Sequence, residues 1–265
     1  MRRNQLVWGA ILLLLGVLML ADQMGLRFPN GVSPTDLFWP AALLLAGSWI
    51  LLGVSRRRNT EMEKAGIELN GARQASLHVS HGAGELTLHG GASASDLMRG
   101  TFAGGLNLKA DRVGDRLEVR MKPATDAFVF PFFGPADRLD WDMSLNSDTP
   151  ISLTLKTGAN KSNINLEHLR ITDLKLDTGA SDTQLTLPSQ GRCHADLDLG
   201  AASLDVVVPA GVSARIRASV GVADLKIDES RFPRSGGFYQ SPDYESAANA
   251  AEISIDAGAA SIRVR

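Results

Sequence analysis

Four glycines, Gly158, Gly179, Gly200 and Gly221, recur at steps of 21 residues, and Pro188 and Pro209 repeat the same interval. Three apolar columns run in phase with them: Leu155, Leu176, Leu197 and Ala218; Ala159, Ala180, Ala201 and Val222; Ile164, Leu185, Val206 and Ile227. Within a unit, apolar residues alternate with polar ones on both sides of the glycine. Leu153 and Leu155 alternate with Thr154 and Lys156, then Ile164 and Leu166 with Asn163 and Asn165. Period-two alternation marks half-buried strands. A glycine at a fixed offset serves either a positive φ or a close passage of two backbones. Each unit therefore reads as strand, tight Gly-Ala turn, strand, return turn. So short a unit cannot bury its apolar face alone, and neighbours must stack about 4.8 Å apart around one continuous core. The expected fold class is an all-β repeat domain of parallel-stacked units, a β-solenoid or a narrow β-sandwich, with Leu176 and Leu197 as core neighbours.

Two outlying copies frame the repeat. Leu77, Val79, Gly82, Ala83, Leu86 and Leu88 carry the pattern in front, and Ile253, Ile255, Gly258, Ala259, Ile262 and Val264 carry it again at the end. The 37 residues from Gly221 to Gly258 make one unit plus a 16-residue excursion through Arg231 to Tyr244. Gly82, Gly158, Gly179, Gly200, Gly221 and Gly258 are thus the predicted structural turn glycines.

Residues 1–58 have a different composition. Segments 6–21 and 37–54 are apolar and free of charge, and at about 1.5 Å per residue each approaches the roughly 30 Å of a hydrocarbon core. Trp8, Trp39 and Trp49 lie toward the segment ends, where indoles favour the headgroup zone. A cleaved signal peptide is the rival reading, but no small-x-small cleavage site follows and a second apolar run arrives at once. The expectation is a transmembrane hairpin with helices at about 5–22 and 36–54. A juxtamembrane linker follows at 59–74, and a β domain spans 75–265 with insertions at about 123–150 and 228–250. Arg2 and Arg3 precede the hairpin and Arg56, Arg57 and Arg58 follow it, against only Arg27 in the connecting loop. Basic residues stay on the cytoplasmic side, so both ends and the β domain are expected there.

A net charge of −2 gives no general attraction to nucleic acid. The single cysteine, Cys193, excludes an internal disulfide framework. Enzymatic readings fare badly. The histidines, His78, His81, His89, His168 and His194, lack the spacing of zinc ligands, and His78 and His81 read as exposed strand residues. Cys193 and His194 are adjacent, so a strand directs them to opposite faces rather than into a nucleophile and base pair. There is no phosphate-cradling loop and no nucleophile elbow. No catalytic residue, metal ligand, cofactor or small-molecule substrate is expected. In-register stacking would align Lys156, Asp177, Asp198 and Ser219, where neighbouring carboxylates repel unless a cation or a lysine intervenes. Calcium there is the sharper reading and solvated surface charge the plainer one; the Gly-Gly-x-Gly-x-Asp pattern of calcium-loaded repeats is absent.

Two interruptions of the repeat are rich in aromatics: Phe128, Phe130, Phe132 and Phe133 with Trp141, and Phe238, Tyr239 and Tyr244. Such rings either cover an open end of the stack or form a contact surface, since aromatics bring large area for little lost rotamer freedom. These eight residues are the candidate partner surface.

The hydrophobic hairpin, the Trp-x-Met-x-Leu-Asn stretch at 141–146 leading into Pro150-Ile-Ser-Leu, and the Leu-x-Leu-x-x-Gly-Ala-Ser units closing on Leu-Thr-Leu-Pro together resemble the LiaF-type toast-rack proteins of bacteria. The resemblance covers nearly the whole chain. It implies a small membrane region joined to a repetitive all-β domain, and a regulator of a sensor kinase that responds to cell-envelope stress. The expected partners are the lipid bilayer and a membrane sensor kinase or other membrane protein. The alternative is a structural or adhesin-like surface module, as related repeat domains are called.

Overall fold

The computed structural model describes residues 62–124 and 139–265. The predicted hairpin and the ring cluster Phe128, Phe130, Phe132 and Phe133 lie outside the described residues. Among the described residues no helix is long and apolar enough to cross a membrane. Thirteen strands follow one another: β1 (Met62–Glu68), β2 (Gln74–Gly90), β3 (Asp96–Ala103), β4 (Leu106–Val113), β5 (Arg116–Pro123), β6 (Trp141–Leu145), β7 (Ile151–Asn165), β8 (Ile171–Thr186), β9 (Arg192–Val207), β10 (Ser213–Ile227), β11 (Arg234–Ser235), β12 (Phe238–Gln240) and β13 (Ala250–Val264).

The stacking follows the sequence columns. Leu155 pairs with Leu176 and Leu176 with Leu197, all in parallel. The unit itself differs from the expected strand, tight turn and strand. Each is one continuous strand of 15 or 16 residues that runs through its glycine. Drawn straight, such a strand would be about 50 Å long, yet β7 is joined to β8 by five residues, 166–170, which reach about 18 Å at most. The strand must therefore double back. Burial shows where: in β7, Leu153, Leu155 and Thr157 are inward, Gly158 and Ala159 are both outward, and Asn160, Ser162 and Ile164 are inward again. Two successive outward residues invert the alternation, so both arms of the bent strand face one core. The result is a flattened coil whose two faces enclose a single apolar cluster.

Close passage, rather than positive φ, is what the corner glycines provide. Of the six, none is in the left-handed region. A Cβ on Gly200 would stand 2.6 Å from the carbonyl oxygen of Gly179, and one on Gly158 would stand 2.6 Å from that of Gly82. From Gly158 onward the corners are stacked backbone on backbone, with no room for a methyl group at Gly158, Gly200 and Gly221 and a tight fit at Gly179 and Gly258.

The terminal copy does not extend the stack. β13 is inserted between β9 and β10, pairing with both in parallel, so the order is β2-β7-β8-β9-β13-β10. Asp256 therefore stands beside Asp198 in the polar column, where sequential stacking had placed Ser219.

At the other end the coil opens. The first arm of β2 is extended by β5 and then β4, and its second arm by β6, β3 and β1. The segment 59–74, read as a linker, contains β1, which pairs antiparallel with β3; its single buried side chain, Ile67, was too weak an alternation to mark a strand. The Trp-x-Met-x-Leu-Asn stretch is structural. Trp141, Met143 and Leu145 are all buried in β6. The Asn146 side chain donates to the carbonyls of Ser93 (3.1 Å) and Asp96 (3.0 Å) and accepts from the amides of Asp148 and Thr149, both at 2.9 Å. It ties the loop before β3 to the turn before β7.

Candidate partner surface

Of the eight aromatic residues, the four that the structure describes, Trp141, Phe238, Tyr239 and Tyr244, separate into different environments. Trp141 is a core residue, 1% exposed, with its indole N–H donated to the Ala103 carbonyl at 3.2 Å and Phe102 edge-on at 5.1 Å. It presents nothing to a partner. Tyr244 is also covered, 5% exposed. Its ring lies between two guanidinium groups, Arg215 at 4.5 Å and Arg192 at 5.5 Å from the centroid, and Arg192 donates to the Tyr244 and Ala247 carbonyls. Tyr244 thus anchors the late insertion to the starts of β9 and β10. Among these four, only Phe238 and Tyr239, in β12, keep part of their rings in solvent.

These two rings are held from below. Ile216 of β10 pairs with Tyr239 and Arg215 with Gln240. Arg215 donates from Nε to Gln240 Oε1 at 2.6 Å, pairs with Glu245, and lies 5.4 Å from the Phe238 ring centroid. Arg234 lies 5.9 Å from that of Tyr239. Aromatic rings flanked by guanidinium groups, with the exposed Arg217 beside them, make a small surface suited to apolar contact with an acidic rim.

Phe232, which composition alone did not single out, is the insertion's main anchor. It is 0% exposed and part of the main core, and Arg231 beside it donates to the Val208 and Pro209 carbonyls at 2.7 and 3.1 Å. A lone apolar ring between Arg231 and Pro233 gave no periodicity by which to find it.

The polar candidates are compensated locally. Lys156 Nζ lies 3.9 Å from Asp177 Oδ2, and Lys175 Nζ lies 3.6 Å from Asp198 Oδ2, so Asp177 and Asp198 each have a lysine beside them. Among the described residues no group of three or more His, Cys, Asp or Glu is placed to hold a metal ion. Cys193 is buried, and desolvation pushes its thiol up to about 12, while His194 faces outward toward Asp196 and Glu252. His81 departs from the exposed reading. It is 3% exposed, and its Nε2–H is donated to the Leu139 carbonyl at 2.5 Å with Trp141 edge-on at 5.2 Å. Loss of solvent holds its pKa below the ordinary histidine value.

Two family models match the chain. One, described as the N-terminal domain of toast_rack, DUF2154, matches residues 56–207. The other, described as the LiaI-LiaF-like transmembrane region, matches residues 6–51. Among solved structures, a "putative cell adhesion protein" from Clostridium sporogenes aligns with a TM-score of 0.66 at 20% identity, over 77% of this chain and 98% of that one. At that identity the likeness concerns the fold alone. A "putative adhesin" from Bacteroides fragilis aligns over 78% of this chain and 98% of that one at 8% identity, and its TM-score of 0.29 carries no weight. A comparison with curated proteins gives no match.

Proposed function

Since the chain belongs to the toast-rack family and joins a LiaI-LiaF-like transmembrane region to that domain, we propose that it is a membrane-anchored, non-enzymatic regulator that acts by contact with a membrane partner of the sensor-kinase class. The distribution of basic residues carries this reading. Five arginines flank the membrane region on its outer sides and one lies between the apolar segments, which favours a cytoplasmic β domain. A cytoplasmic domain can meet the catalytic half of a kinase and cannot adhere to anything outside the cell. The partly exposed Phe238 and Tyr239, with Arg234, are the surface offered for that contact, and the protein exerts its effect through binding rather than chemistry.

Orientation tests this reading against the adhesin-like alternative. Ser230 is exposed and lies in the late insertion. A cysteine placed there should resist an impermeant thiol reagent in intact cells and react after permeabilisation. Strong labelling in intact cells overturns the cytoplasmic placement and favours a surface module. With the domain inside, deletion of the gene should change the basal output of an envelope-stress reporter controlled by a two-component system.

A further inference from the structure

The coil ends at β10, and that end is only partly covered. β12 pairs with Arg215 and Ile216. From Arg217 to Ile227, β10 has β13 on one side and, among the described residues, no strand on the other. Its inward side chains are correspondingly exposed. Leu155, Leu176, Leu197 and Ile255 are at most 1% exposed, whereas Ala218, their equivalent here, is only partly buried, as are Val220, Leu225 and Ile227. The corner differs too. The residue after the glycine is alanine in every other rung, but here it is Val222, 83% exposed. A long edge with open hydrogen-bonding groups and apolar residues is normally blunted by charge, proline or a covering element.

We propose that this edge is the seam of a two-fold dimer, in which β10 pairs antiparallel with β10 of a second copy about an axis between Gly221 and Val222. The rung is nearly symmetric about its own corner: Val220 and Ala218 are the inward residues on one arm, and Ala223 and Leu225 on the other. Antiparallel pairing about that axis therefore sets inward residues opposite inward residues on both arms. Val220 faces Ala223 of the second copy, and Ala218 faces Leu225, a small side chain against a large one in each case. Val222 meets Gly221, which has no side chain to oppose it.

Charge is balanced in this register. Asp224, bonded within its own chain to Lys226 at 2.8 Å, becomes the diagonal neighbour of Arg217 of the second copy, a separation long side chains bridge. The axis generates this contact twice. Arg217 and Lys226 of opposite copies face each other, but each already has a carboxylate, Glu252 at 3.0 Å and Asp224 respectively. An isologous seam of this kind closes on itself, so it hides both edges without propagating a fibre.

The full-length chain in detergent tests this seam. Its protein mass by light scattering should be that of a dimer. Val222→Cys, in a Cys193→Ala background, should form a disulfide between copies on mild oxidation, because the two residues flank the axis within the roughly 4.4–6.8 Å that a disulfide spans. Val222→Lys alters a side chain that is 83% exposed in the single chain and should yield a monomer that still unfolds cooperatively. A monomeric parent chain overturns the proposal. So does a dimer that survives Val222→Lys while Val222→Cys fails to cross-link, since the contact would then lie elsewhere, as does protection of Val222→Cys by a different protein bound along the edge.

Discussion

Leu197 and Ile255 are direct partners in parallel register although 58 residues separate them in the chain. Both are at most 1% exposed, so the last strand forms an interior rung of the core. Ile255→Ala should therefore cost about 2–5 kcal/mol, the range for an aliphatic truncation that leaves a cavity. Leu225→Ala, in the partly exposed end rung, should cost clearly less. Urea unfolding of both variants measures the difference; equal losses would contradict an interior place for β13.

Gly200→Ala should destabilise by about 1–3 kcal/mol through overpacking, because the new methyl would stand 2.6 Å from a backbone oxygen that cannot move aside. Gly179→Ala, where the nearest oxygen is 3.2 Å away, should cost less, and Gly237→Ala, with nothing within 4 Å, should be close to neutral. Thermal melts of the three variants should rank in that order.

His81 predicts acid sensitivity with a defined sign. Its folded pKa lies below the ordinary histidine value of 6.5, so the unfolded chain takes up the proton first as pH falls. The stability that depends on neutral His81 is fully present above about pH 6.5 and is lost as pH falls from there toward the folded pKa. His81→Gln should flatten the pH dependence of the melting temperature in that window. An unchanged slope would show that His81 does not carry it.

Cys193 should alkylate slowly in the folded protein, since its thiol is buried and its pKa is pushed up to about 12, and only the thiolate is a good nucleophile. Iodoacetamide labelling at pH 8 should become rapid only on unfolding. The same property keeps Cys193 silent in the labelling of a cysteine at position 230.

Phe238→Ala and Tyr239→Ala should weaken copurification with a partner kinase and lower the melting temperature only slightly, because both rings are partly buried and Tyr239 packs against the core. Tyr244→Ala should lower the melting temperature, since its ring is held between Arg192 and Arg215. If the two groups behave alike, the separation into surface and anchor fails.

Local patterning determined a great deal by itself. Each 21-residue unit repeats one set of inward and outward choices, so the parallel register of β7, β8 and β9 was legible from Leu155, Leu176 and Leu197. The exclusion of a Cys193 and His194 pair was equally legible, because it needs only the period of a strand. The corner glycines were legible as constrained positions, but the constraint could be named only once Gly179 and Gly200 were seen to stack.

Tertiary structure decided whatever depended on which copy lies beside which. Strand pairing energy is the same for any rung of matching pattern, so nothing in the repeat distinguishes a terminal copy that extends the stack from one that slots between β9 and β10. That choice rests with the 228–250 segment, through Phe232 in the core and Tyr244 between two arginines. The same holds for Trp141 and Tyr239. Both are aromatic residues in interruptions of the repeat, yet the first is wedged between β2 and β3 and the second lies on the end rung. Burial belongs to the neighbours a side chain acquires, and those come from chain segments far away in sequence.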